Sequence, residues 1–228
     1  MSLTWVFAHR GVAQTAPENS IASFVEARRL GADGVELDVR RSADGALVVH
    51  HDSEIAGLGP IDALSVADLP VDVPLLAVAL EACADLMVNV EVKVVPGEDV
   101  DSLAAEVAAQ VSEGPSPGLV GVSSFDLEVL DAARRADPEL YLGWLLVPGA
   151  DPLASLQVAS GHHLDALHPF VWSIDDKLVA SAHASGIAVV AWTVNAAADL
   201  EAMGAIGVDA VITDDVALAL EVLSRPVR

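Results

Sequence analysis

Short β-rich runs alternate with longer Ala-, Leu- and Glu-rich stretches from one end of the chain to the other. The short runs predict strands over Trp5–His9, Val35–Val39, Leu86–Lys93, Leu119–Ser123, Leu140–Val147, Leu164–His168, Ile187–Thr193 and Asp209–Thr213. The longer runs predict helices over Ser20–Leu30, Leu75–Ala84, Val100–Glu113, Leu127–Ala136, Pro152–Ser160, Asp175–Ser185, Ala197–Ile206 and Val216–Ser224. Helix signals agree: Asn19 and Ser20 precede the first helix, and Gly31, Gly186 and Gly207 follow helical runs. Strict strand–helix alternation implies βαβ units and a parallel sheet, in one domain spanning 1–228.

One run breaks the alternation. Residues 46–51, ALVVHH, follow the second strand after only RSADG. Parallel strands need a crossover of a dozen or more residues, whereas a tight turn serves an antiparallel pair, and Asp44-Gly45 is a strong turn signal. The run therefore predicts a β-hairpin arm returning from the end of the second strand and bringing His51 back to the 36–38 segment. Eight parallel strands remain, the number in a (β/α)8 TIM barrel. An open doubly wound sheet is the alternative.

Composition changes the picture in one respect. With 34 acidic against 11 basic residues, the net charge is −23. That disfavours nucleic acid and anionic membranes as partners. An anionic small molecule would need local basic groups acting against the overall field. At 53% hydrophobic residues a sizeable core is expected. No apolar run reaches the roughly 18 residues of a membrane span, so no stable membrane insertion is expected. No secretory signal is visible, and the single Cys83 fits a reducing compartment, so a cytoplasmic location is expected. Oligomeric state is not legible.

Candidate chemistry sits on the second and third parallel strands. In GVELDVR, Glu36 and Asp38 stand at i and i+2 and share one face, which in a barrel is the lumen. NVEVK repeats the pattern with Asn89, Glu91 and Lys93. Converging buried carboxylates call for a cation, and oxygen donors favour a hard divalent ion, Mg²⁺ or Ca²⁺. A closed salt-bridge network of Glu36, Asp38, Glu91, Arg40 and Lys93 is the competing reading. His9 ends the first strand and His51 returns with the hairpin. Two histidines beside such a cluster suit general acid and base roles, while Arg10 and Lys93 could hold a phosphate or carboxylate. Other histidines in GHHLDALHP, namely His162, His163 and His168, are expected to be structural. Trp144, Phe170 and Trp172 are expected to pack in the core or at the barrel rim.

These pieces together resemble the glycerophosphodiester phosphodiesterase family. The resemblance rests on AHRG, APENSIASFVEA and GADGVELDVRRSADGALVVHHD within 8–52, then NVEVK, SSF, WTVN and GVDAVITDD. It implies a barrel enzyme that hydrolyses glycerophosphodiesters to an alcohol and glycerol 3-phosphate with one divalent cation. Carried over by motif, Glu36, Asp38 and Glu91 would be metal ligands, His9 and His51 the acid/base pair, Arg10 and Lys93 phosphate contacts, and Trp192 part of an aromatic wall. His50 is set aside, because the motif uses the histidine directly before Asp52. Glu18 would lie near the site. The resemblance further implies attack by the glycerol 2-hydroxyl and a cyclic phosphate intermediate. The chain departs from the family pattern after His51-Asp52: there is no Arg-Thr-Thr stretch, PLLAVAL replaces the Pro-Thr-Leu-x-Glu pattern, and the covering segment is short. Two rival readings stay open, a phospholipase D-like release of lysophospholipid headgroups and a non-catalytic phosphodiester-binding barrel.

Overall fold

The structure is a computed structural model and describes residues 3–224. The expected single domain over 1–228 therefore extends, at residues 1–2 and 225–228, outside the described residues. Strands are β1 (Trp5–His9), β2 (Gly34–Arg41), β3 (Leu47–Val49), β4 (Glu54–Ile55), β5 (Gly59–Pro60), β6 (Met87–Val92), β7 (Val120–Ser124), β8 (Tyr141–Leu145), β9 (Ala166–His168), β10 (Ala188–Ala191) and β11 (Ala210–Thr213). Helices are α1 (Ile21–Leu30), α2 (Leu76–Ala82), α3 (Val100–Glu113), α4 (Leu127–Ala136), α5 (Pro152–Gly161), α6 (Asp176–Ala184), α7 (Ala197–Ile206) and α8 (Val216–Val222).

Strand β1 pairs in parallel with both β2 and β11, so β1, β2 and β6 to β11 close into an eight-stranded barrel. Closure excludes the open doubly wound sheet. β3 is the antiparallel arm: Val39 pairs with Val49 and Arg41 with Leu47. Between β3 and α2 lie a small β4–β5 hairpin and two 3₁₀ turns, Ile61–Ala63 and Val66–Asp68, matching the short covering segment expected. Ile61 is buried and anchors it.

The parity of the strands divides core from lumen. On β2 and β6 the odd-even alternation buries Val35, Leu37, Val39, Val88, Val90 and Val92 in the main hydrophobic cluster. Their neighbours Glu36, Asp38, Asn89 and Glu91 take the other face. Part of the acidity has a local structural use. Asp99, Asp126, Asp151, Asp175 and Asp215 cap α3, α4, α5, α6 and α8 through side-chain bonds to first-turn N–H groups. Each such cap contributes about 1 kcal/mol and meets the positive end of the helix dipole.

Candidate active site

The strand register gathers the acidic residues. Glu36 pairs with Asn89 and Asp38 with Glu91, while His9 pairs with Glu36 across β1–β2. Oxygens of Glu36, Asp38 and Glu91 lie within 4.8 Å of one another, and all three residues are buried. Glu36 Oε1 accepts no hydrogen bond from any described residue, whereas Asp38 Oδ1 and Glu91 Oε1 both meet Lys93 Nζ. Two cations touch the cluster. Lys93 Nζ is 3.0 Å from Asp38 Oδ1 and ion-pairs with Glu91, and Arg10 Nε is 3.3 Å from Asp38 Oδ2. Three carboxylates against two cations leave one excess negative charge.

The electrostatics divide the three acids. Burial pushes Glu36 well above the usual carboxylate range, and Asp38 and Glu91 push it further. Glu91 is also raised by burial, against the pull of Lys93. Burial raises Asp38 too, but Lys93, a hydrogen bond from Asn19 and Arg10 outweigh it, and Asp38 ends below the usual range. The closed salt-bridge reading is therefore incomplete. Arg40 does not join the cluster, since its Nε and Nη2 donate to the His51 carbonyl at 2.9 and 2.7 Å. Hard, buried carboxylate oxygens with residual negative charge, Glu36 Oε1 among them without a partner, fit a divalent cation.

The loop after β1 is shaped for this cluster. Arg10 and Gly11 have φ 55° and 77°. The turn aims the Arg10 backbone N–H at Glu36 Oε2, 3.0 Å away. A Cβ on Gly11 would lie 2.2 Å from Ser23 Oγ, so only glycine lets the loop seat on the start of α1. Asn19, at φ 56°, is buried. Its Nδ2 donates to Asp38 Oδ2 at 2.8 Å and its Oδ1 accepts from the Asp38 N–H at 3.2 Å. Glu18 sits beside the site on the exposed side, paired with Arg10 at 3.1 Å.

Both candidate histidines are oriented by aspartates. His9 Nδ1 is 2.7 Å from Asp214 Oδ1, and its Nε2 is 4.0 Å from Glu36 Oε2. Asp214 is held in turn by Asn195, whose Nδ2 donates to Oδ2 at 2.5 Å and whose Oδ1 accepts the Asp214 N–H at 2.9 Å. The hydrogen bond with His9, aided by Asn195, holds Asp214 below the usual carboxylate range against its partial burial. His51 Nδ1 is 2.8 Å from Asp52 Oδ1. A carboxylate only accepts, so Nδ1 of each neutral ring donates and Nε2 remains free to accept a proton. His51 comes to the cluster on the hairpin arm, where the adjacent His50 N–H donates to the Asp38 carbonyl at 3.0 Å.

An aromatic row borders the mouth. Trp192 meets Phe125 and Phe170 edge-on at 5.6 and 5.5 Å, and Phe170 meets Trp172 at 5.2 Å. The Trp192 indole donates to the His168 carbonyl, and Lys93 Nζ lies 5.8 Å over Phe125. Trp172 is 79% exposed, so it is a rim residue. His162 pairs with Asp131, and no second metal-ligating group involving His162, His163 or His168 occurs among the described residues. Sequence reasoning missed the roles of Asn19, Asn195 and Asp214. PEN and the closing TDD were visible, but nothing local says that Asp214 reaches His9.

Comparison with known proteins decides the family. The family model described as "Glycerophosphoryl diester phosphodiesterase family" matches residues 9–218. The chain belongs to the glycerophosphoryl diester phosphodiesterase family. A relative named glycerophosphodiester phosphodiesterase, from Caldanaerobacter subterraneus, is 32% identical over 93% of this chain and 94% of its own length. The structure of an Oleispira antarctica phosphodiesterase in complex with the product sn-glycerol-3-phosphate aligns at TM-score 0.89. It is 26% identical, over 97% of each chain. A glycerophosphodiester phosphodiesterase of this family from Thermotoga maritima aligns at TM-score 0.81 with 26% identity, over 96% of this chain and 97% of its own.

Proposed function

We propose that the chain is a phosphoric diester hydrolase that cleaves glycerophosphodiesters to an alcohol and glycerol 3-phosphate, using one divalent cation and a histidine pair. The observation that carries the reading is the convergence of three buried carboxylates, with oxygens within 4.8 Å of one another, beside His9. Family membership and the product named in the Oleispira complex support the substrate class. A cation held by Glu36, Asp38 and Glu91, Mg²⁺ or Ca²⁺ by the chemistry of its oxygen donors, would supply positive charge for phosphate oxygens.

The chain's own residues do the rest. Arg10 and Lys93 are the local cations for an anionic phosphate in a strongly acidic protein. Each also faces the carboxylates, which holds its charge in place. The glycerol 2-hydroxyl attacks phosphorus. One imidazole takes the hydroxyl proton at Nε2, and the other donates a proton to the oxygen of the departing alcohol as its bond to phosphorus breaks. Water then opens the cyclic phosphate, with the two histidines exchanging roles. Asp214 and Asp52 fix the rings and stabilise the imidazolium that forms. The Phe125–Trp192–Phe170 row supports an apolar or quaternary-ammonium leaving group, such as choline, through ring faces. A cytoplasmic location and action as one domain over 1–228 remain part of the proposal. No helix among the described residues is long and apolar enough to cross a membrane.

The test is a panel of glycerophosphodiesters, glycerophosphocholine among them, assayed after chelation and again with Mg²⁺ or Ca²⁺ restored. Metal-restored release of glycerol 3-phosphate is expected. Release of headgroups from lysophosphatidylcholine alone would favour the phospholipase D-like reading. Tight binding of the diesters without turnover would favour the binding barrel.

A further inference from the structure

The lumen of the barrel is unfilled at the end opposite the acidic cluster. Inward positions there enclose a cavity of about 360 Å³, lined by Phe7, Met87, Asn89, His168, Val190 and Ile212 among others. Such barrel interiors are ordinarily packed by layers of branched side chains. Here the register sets rings against glycines on neighbouring strands. A Cβ on Gly34 would lie 2.5 Å from the Phe7 ring, and one on Gly143 would lie 2.3 Å from His168 Nε2. These rings occupy the space over the neighbouring glycines, and the small Ala188 and Ala210 side chains also line the cavity.

The wall carries two polar groups without partners. Asn89 and His168 are 9% and 4% exposed, and neither side chain makes a hydrogen bond to a described residue. Burial pushes His168 down to about 3, so its ring is neutral and offers one donor and one acceptor. The charged lining residue, Asp209, is already engaged by the Val189 N–H at 2.7 Å and by His183 at 2.9 Å. No cationic side chain among the described residues lines the cavity. The opening is apolar and accessible, with Trp5, Leu119 and Tyr141 38%, 45% and 46% exposed. A buried polar group without a partner is costly, and an apolar pocket with a few convergent polar groups is the usual form of a small-molecule site.

We propose that the N-terminal end of the barrel is a second ligand site, for an uncharged alcohol whose hydroxyl bonds His168 and Asn89 and whose apolar body lies against Phe7, Met87, Val190 and Ile212. The site is separate from the acidic cluster and stands whether or not the proposed hydrolysis is correct. The probes are p-cresol, toluene and 4-methylbenzoate, titrated calorimetrically into the full chain at pH 7. Saturable one-site binding of p-cresol is expected. Toluene should bind about fivefold more weakly, the scale of one hydrogen bond, and 4-methylbenzoate should not bind, because no cation offsets its buried charge. His168→Leu keeps the volume and should narrow the gap between p-cresol and toluene, and His168→Leu combined with Asn89→Leu should close it. Ala188→Phe should weaken both by at least about tenfold by filling the space, with a cooperative melt and glycerophosphodiester turnover retained. The proposal is overturned if p-cresol shows no saturable binding up to about 5 mM, if p-cresol and toluene bind alike, or if their difference is unchanged by the combined His168→Leu and Asn89→Leu substitution.

Discussion

At the residue scale the site is a set of side chains that would be poor choices anywhere else. Three buried acids are tolerable only together with cations, and two aspartate-held imidazoles stand beside them. His9→Ala and His51→Ala should each lower kcat on glycerophosphocholine by at least about 10²-fold, the usual size of an acid/base contribution. Steady-state assays with both variants near the parent rate would contradict the assignment. Asp214→Asn keeps the shape but can offer its amide N–H to Nδ1, favouring the wrong tautomer of His9. It should lower kcat with little change in KM, and Asp214→Glu should recover part of the loss. His168 makes a different, pH-linked contribution. Its folded value near 3 lies below the ordinary 6.5 of the unfolded chain. The unfolded chain therefore binds more protons, and the stability tied to this ring is present above 6.5 and lost as pH falls from 6.5 toward 3. The loss approaches about 1.4 kcal/mol per pH unit. Denaturant titrations should show a shallower loss of stability between pH 6 and pH 4 in His168→Leu than in the parent.

At the element scale, the hairpin arm makes the site from two pieces. Arg40 fastens the arm by two bonds to the His51 carbonyl, and the Val39–Val49 register seats it. Arg40→Ala should lower kcat by about tenfold while the melt stays cooperative, because His51 loses its fixed position more than the core loses packing. Rates unchanged in that variant would show that the arm needs no such anchor. Much of this was legible in the sequence. The i, i+2 carboxylates, the Asp44-Gly45 turn and the eightfold alternation identify the barrel and the arm, because each is set by local periodicity or local turn chemistry. Contacts made by barrel closure were not legible. Asp214 reaches His9 from 205 positions away only because β11 pairs with β1. Asn19 bonds Asp38 through a left-handed backbone conformation that one sequence does not announce. Strand ends were overextended for a related reason. Leu146 is buried beyond the last residue of β8, so apolar patterning continued past the sheet pairing into the mouth.

At the scale of the whole molecule, a net charge of −23 surrounds a site built for an anion. The field should repel a net-anionic diester more than a zwitterion. Raising salt from about 10 to 150 mM, which shortens the screening length from about 30 to 8 Å, should raise kcat/KM for glycerophosphoglycerol and leave glycerophosphocholine nearly unchanged. Equal salt responses would mean that Arg10 and Lys93 already cancel the field at the mouth. The central claim, however, is that Glu36, Asp38 and Glu91 hold one divalent cation. Calorimetric titration of chelator-dialysed protein with Mg²⁺ and with Ca²⁺ tests it most directly. One ion bound per chain in the parent, and none in Glu36→Gln or Glu91→Gln, is the predicted result. Binding that survives both substitutions, or a parent that binds neither ion, would contradict it.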